Sequence, residues 1–141
     1  MKFLLIYLST FTLLLLTACD DKPESIDNGN KGDLNYSWQV SASITGHDFT
    51  YGPFTIRTTS NNDSITISDE GNFWNFRVSV ALNADNNTFG NSSSVNAIST
   101  VGAKINVPYG KIIDSDSIAF NIQFEDDETP HGITYNIKGR R

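Results

Sequence analysis

The chain has little with which to build a cross-linked, metal-bound or nucleic-acid-binding protein. It holds a single cysteine, Cys19, so no internal disulfide can form and the fold must rest on its core alone, even in an oxidising compartment. Histidine occurs only at positions 47 and 131, and without a second thiol no zinc site is expected. Basic residues are outnumbered, ten against sixteen acidic ones. Nucleic-acid binding rests on neutralising phosphates with Lys and Arg, so this balance argues against such a partner. It equally disfavours an electrostatic grip on anionic lipid heads. Stretches with helical spacing of apolar residues are missing, and no motif calls for a cofactor.

What is present starts with a targeting segment. Met1-Lys2 supplies a positive start, Phe3 to Leu16 is almost wholly apolar, and Leu16-Thr17-Ala18-Cys19 follows. A positive region, a short apolar run and small residues before a cut describe a secretory signal, residues 1–18. The run is short for a hydrocarbon layer that takes about 20 residues to span. Lipid transfer needs a thiol, and Leu-Thr-Ala-Cys is a lipobox at the right place. Cleavage before Cys19 and acylation of that cysteine are therefore expected. At roughly 0.8 kcal/mol per buried CH₂, two or three acyl chains anchor a protein stably. The expected location is the bacterial cell envelope, in the outer membrane, with the membrane as a partner through the N-terminal lipid. Loss of Lys2 would leave nine basic and sixteen acidic residues, a net charge of −7.

Residues 19–33 contain one aliphatic side chain, Ile26, and no aromatic one. They cannot bury enough apolar area to offset ordering entropy and read as a flexible tether. Residues 34–141 are enough for one domain. Here the dominant signal is period two, apolar on one face and polar on the other. Tyr36, Trp38, Val40, Ala42 and Ile44 form one row; Trp74, Phe76, Val78, Val80 and Leu82 another; Ile118, Phe120, Ile122 and Phe124 a third. Shorter rows occur at Phe54/Ile56, Ile65/Ile67 and Ile133/Tyr135/Ile137. Turn formers separate them at 46–48, 60–63, 69–71, 83–87 and 125–132. Between residues 88 and 113, Phe89, Val95, Ile98, Ile105, Val107 and Ile112 must serve two or three strands, with Pro108 at an edge or bend. The expectation is an all-β domain, a single antiparallel meander of about eight strands, closed as a barrel or stacked as a sandwich.

One segment is distinctive: Gly71-Asn72-Phe73-Trp74-Asn75-Phe76-Arg77-Val78. Together with Trp38-Gln39-Val40, Gly110-Lys111-Ile112, Asp116-Ser117-Ile118-Ala119-Phe120 and Phe124-Glu125-Asp126-Asp127, it resembles the lipid-binding putative hydrolase family of small lipoproteins. The likeness runs over most of residues 36–141, and residues 44–60 depart from the pattern. The resemblance implies a lipocalin-like β fold.

Three kinds of chemistry can be weighed on the residues. Eight strands make a barrel that side chains just fill, or that holds one small ligand. If the inward rows include Trp38, Trp74, Phe76, Phe120, Phe124 and Tyr135, they would line a site for a hydrophobic or lipid-like molecule. The same rings could instead form a solid core, leaving a surface protein that contacts a protein or glycan through exposed aromatics such as Tyr51, Phe73 or Tyr109. A weak esterase-like hydrolase is the third reading. It needs a base oriented beside a nucleophile, but His47 and His131 both lie in turns beside Gly, and no Gly-x-Ser-x-Gly elbow occurs. No catalytic residue is therefore assigned. Glu125 to Glu128, with Asp114 and Asp116, could offer oxygens to Ca²⁺ but lack EF-hand spacing, and read as solvated acidic turns. Asp63-Ser64-Ile65 and Asp116-Ser117-Ile118 resemble bacterial O-glycosylation acceptor triplets, and both also read as strand starts.

Overall fold

The computed structural model describes residues 34–91, 97–98 by backbone, and 103–141. Cys19, the expected signal and the expected tether lie outside the described residues, as does Val95. Among the described residues ten strands follow in chain order: β1 (Tyr36–Ile44), β2 (Thr50–Asn61), β3 (Ser64–Ser68), β4 (Arg77–Asn83), β5 (Thr88–Phe89), β6 (Ala97–Ile98), β7 (Ile105–Asn106), β8 (Gly110–Asp114), β9 (Ser117–Phe124) and β10 (Tyr135–Arg140). All pairings are antiparallel.

The sheet runs β10-β1-β2-β3-β4-β5-β8-β9, and β9 also pairs with β10. That last pairing returns the sheet to its start, so eight strands close into a barrel with no sandwich seam. Closure removes the open edges that would otherwise invite other strands. The two remaining strands are short additions, β6 on β4 and β7 on β9. The described residues of 88–114 thus supply four strands rather than two or three, with Pro108 in the break between β7 and β8.

Alternation explains which side each residue takes. On β9 the buried residues are Ile118, Phe120, Ile122 and Phe124; on β1 they are Trp38, Val40 and Ala42. Successive Cβ atoms point to opposite faces of a strand, so each row delivers one apolar face inward. One inward position is polar: Thr58 is fully buried. Its hydroxyl accepts from Trp38 Nε1 at 2.9 Å and donates to the Leu34 carbonyl at 2.7 Å, which satisfies the indole and the hydroxyl together.

The β1–β2 register shifts between Val40 and Ala42, where β2 carries one extra residue around Gly52-Pro53. Gly52 has φ of 125°, and a Cβ there would lie 2.9 Å from the Val40 carbonyl oxygen. Such a bulge needs glycine for the backbone approach, and proline tolerates it because no ladder donor is required. Ser64 and Ser117 open β3 and β9, as their triplets suggested. Trp74 differs from expectation. β4 begins only at Arg77, and Trp74 stands in the loop before it.

Candidate functional site

Three connections meet at one end of the barrel: β1–β2, β3–β4 and β9–β10. In the β3–β4 connection, residues 69–76, a single buried carboxylate organises the backbone. Asp69 is fully buried. Its Oδ1 accepts from the amides of Gly71 (3.0 Å) and Phe76 (2.8 Å), and its Oδ2 from Phe73 (2.9 Å), Trp74 (2.7 Å) and Asn75 (2.8 Å). Burying a lone charge is costly. Five charge-assisted bonds offset that cost and wind the backbone around the carboxylate. Glu70 and Asn75 adopt φ of 51° and 52° to make the winding possible. The distinctive Gly71–Phe76 segment is therefore a loop with a fixed shape, and it presents Phe73 and Trp74 to the barrel end.

Those two rings close the mouth. Phe73 stacks on Phe54 (centroids 5.2 Å apart) and meets Tyr51 at 5.3 Å and Tyr135 at 5.4 Å. Trp74 lies 5.6 Å from Tyr135 and stacks on Phe124, the last residue of β9. Side-chain bonds latch the loop down. Trp74 Nε1 donates to Asp126 Oδ1 at 3.0 Å, Tyr51 OH donates to the Asn72 carbonyl at 2.8 Å, and Asn72 Nδ2 donates to the Thr55 carbonyl at 3.2 Å. Beneath them Tyr135 OH donates to Asp127 Oδ2 at 2.8 Å. Burial pushes the Tyr135 phenol well above its usual range, helped by that bond and by the negative charges of Asp127 and Glu128.

Of the six residues expected to line a ligand site, Trp74, Phe76, Phe124 and Tyr135 gather at this mouth. Phe76 and Tyr135 lie 5.7 and 5.9 Å from Phe124. Trp38 and Phe120 sit away from it, Trp38 against Tyr36 at 5.6 Å and Phe120 against Phe89 at 6.0 Å. All six contact other rings. Five are core residues no more than 5% exposed, and Trp74 is half-buried. Sequence reasoning missed Asp69, Phe54 and Phe49 as parts of this end. It also took Phe73 only for a surface ring, although the row of aromatics at 73, 74 and 76 marked the segment. Tyr109 lies elsewhere, on a groove of about 290 Å³ with Leu82, Phe89 and Pro108.

The acidic turn is solvated at Glu125, Asp126 and Glu128, as expected, and it also latches the mouth. Glu125 Oε2 accepts from the Lys104 amide at 2.9 Å, Asp126 from Trp74 and Asp127 from Tyr135. Among the described residues no group of three acidic, Cys or His side chains is placed to hold a metal. His131 has φ of 54°, its amide donates to the Phe124 carbonyl at 2.9 Å, and its Nε2 is 3.4 Å from the Lys104 carbonyl oxygen. His47 is exposed in the β1–β2 turn, its amide donating to the Ile44 carbonyl at 3.2 Å. Both histidines do turn-forming work through their backbones.

The chain matches the model of a family described as lipid-binding putative hydrolase over residues 24–141. Among curated proteins, none matches the chain.

Proposed function

The chain belongs to the lipid-binding putative hydrolase family, and from that premise we propose that it binds a hydrophobic or lipid-like small molecule at its aromatic mouth without hydrolysing it. Family and closed barrel both support lipid binding in general terms. The observation that carries the finer reading is the Asp69 loop. Its two rings cover Phe124 and Tyr135 through side-chain contacts, with no strand pairing to hold them. Displacing such a loop costs a few side-chain bonds rather than a sheet. A ten-carbon chain entering beneath it would gain about 8 kcal/mol from burial at roughly 0.8 kcal/mol per methylene. Association and ordering cost on the order of 4–15 kcal/mol, so the expected affinity from burial of the chain is weak, about millimolar at best.

In this reading the domain hangs in the bacterial envelope from acylated Cys19, in the outer membrane, and presents the mouth to apolar molecules there. The roles of His47 and His131 in turns support a binder over an esterase. A second reading has one specific support. Phe49 and Tyr51 are 37% and 44% exposed at this same end, which also suits contact with a protein or glycan.

The test is native mass spectrometry of the purified, delipidated protein offered single-chain lipids and a neutral ten-carbon amphiphile. Retention of one ligand per chain supports the proposal. Retention of none, with a partner captured through Phe49 and Tyr51 instead, would leave only the second reading.

A further inference from the structure

We infer that the mouth selects amphiphiles with a cationic head over those with an anionic one, an inference that rests on the lipid-binding role proposed above. Carboxylates outnumber cations around the apolar opening, where Arg57, Arg77 and Lys104 also lie and Arg57 is paired with Glu70. Asp48 precedes exposed Phe49, whose ring meets Tyr135 at 6.1 Å. Asp126, Asp127 and Glu128 follow β9 directly, and both Asp127 and Glu128 act on the Tyr135 phenol. Asp126 and Asp127 each spend an oxygen on an aromatic donor of the mouth. Among the described residues no basic side chain forms an ion pair with Asp48, Asp126, Asp127 or Glu128. The ion pair found at this end joins Arg57 to Glu70 at 2.9 Å.

An anionic head held at that rim would sit among like charges, within the screening length of about 8 Å at physiological salt. A cationic head would find carboxylates that no basic side chain pairs with and the exposed rings of Phe49 and Tyr51, whose faces attract cations through their quadrupoles. The other end of the barrel offers an internal comparison. There the Tyr36 ring already carries a cation, with Arg141 Cζ 4.2 Å from its centroid. The mouth has the aromatic faces and the negative charge, and its cation would come from the ligand.

Tryptophan emission of the purified protein can follow three ten-carbon amphiphiles with trimethylammonium, sulfate and maltoside heads, below micelle-forming concentrations and at low salt. The expected result is binding of the trimethylammonium compound about tenfold tighter than the sulfate, the scale of two exposed charge pairs. The gap should narrow as salt is raised. The double variant Asp48→Asn/Glu128→Gln should lose most of the preference. Asp63→Asn/Asp114→Asn, at the opposite end and with the same net charge, should keep it. Sulfate binding as tight as trimethylammonium overturns the inference while lipid binding stands. Equal loss in both double variants also overturns it, since overall acidity would then be the cause. If none of the three binds, the lipid-binding proposal fails as well.

Discussion

Trp74 lies flat on Phe124, ring centroids 4.5 Å apart and planes within 8°. The contact joins a loop residue to the end of a barrel strand fifty residues later in the chain. It is where the Asp69 loop and the closed sheet hold each other.

Truncating this contact should be measurable. Trp74→Ala is expected to cost about 2 kcal/mol: less than a fully buried tryptophan, because the ring is half-exposed, but including the stacking term. Trp74→Phe keeps the stack and loses the bond to Asp126, at about 1 kcal/mol. Urea unfolding with unchanged slope and lowered midpoint checks both.

Asp69 should be among the least replaceable residues. Asp69→Ala strands five backbone amides, and a loss of at least about 3 kcal/mol is expected. Asp69→Asn should also destabilise by about 2 kcal/mol, because one arm of the amide is a donor facing donors. A red shift of Trp74 emission before global unfolding would show the loop releasing first. A near-neutral Asp69→Asn would sink the account of the loop.

Alkaline stability follows from Tyr135. Its phenol is raised by burial first, then by Asp127, so the folded state keeps a proton that the unfolded chain releases near pH 10. The unfolded state then binds fewer protons, and stability falls as pH climbs above about 10. Below that pH the contribution is fully present. Tyr135→Phe should unfold more easily at neutral pH but lose less stability between about pH 10 and 12. Parallel urea titrations at stepped pH would show whether its slope is the shallower one.

Gly139 marks where β10 crosses β1 most closely. A Cβ there would overlap the Gln39 carbonyl oxygen and stand 2.6 Å from Val40 Cα. Both are backbone, so no side chain can swing aside, and Gly139→Ala is expected to cost about 3 kcal/mol by forcing the closing strands apart. Because β10 alone joins β9 to β1, thermal unfolding should broaden as well as shift. An unchanged midpoint would mean that the barrel is looser at this seam than its geometry shows.

Much of the fold was legible without coordinates. Period two in 36–44, 65–67, 74–82, 118–124 and 133–137 identified strands and their inward faces, with β4 and β10 starting later than their rows, since alternation is a local property of extended backbone. Turn formers placed the hairpins for the same reason. Trp74 misled because its spacing from Phe76 continues the alternation, while the carboxylate that pulls it off the strand lies five residues earlier and leaves no periodic trace. The acidic turn was read rightly as solvated, but its bonds to Trp74 and Tyr135 were not legible, because a run of carboxylates reads alike whether or not a ring donor reaches it.

Sequence alone thus determined the all-β class, the buried faces of β1, β3, β4 and β9 and the lipobox expectation at Cys19, all of which depend on neighbours a few residues apart. Tertiary structure decided that β9 and β10 close the barrel, that Phe73 and Trp74 cover its mouth and that Asp126 and Asp127 hold ring donors there. Those outcomes depend on groups tens of residues apart, such as Trp74 and Asp126, brought together only when the sheet curls round and its ends pair.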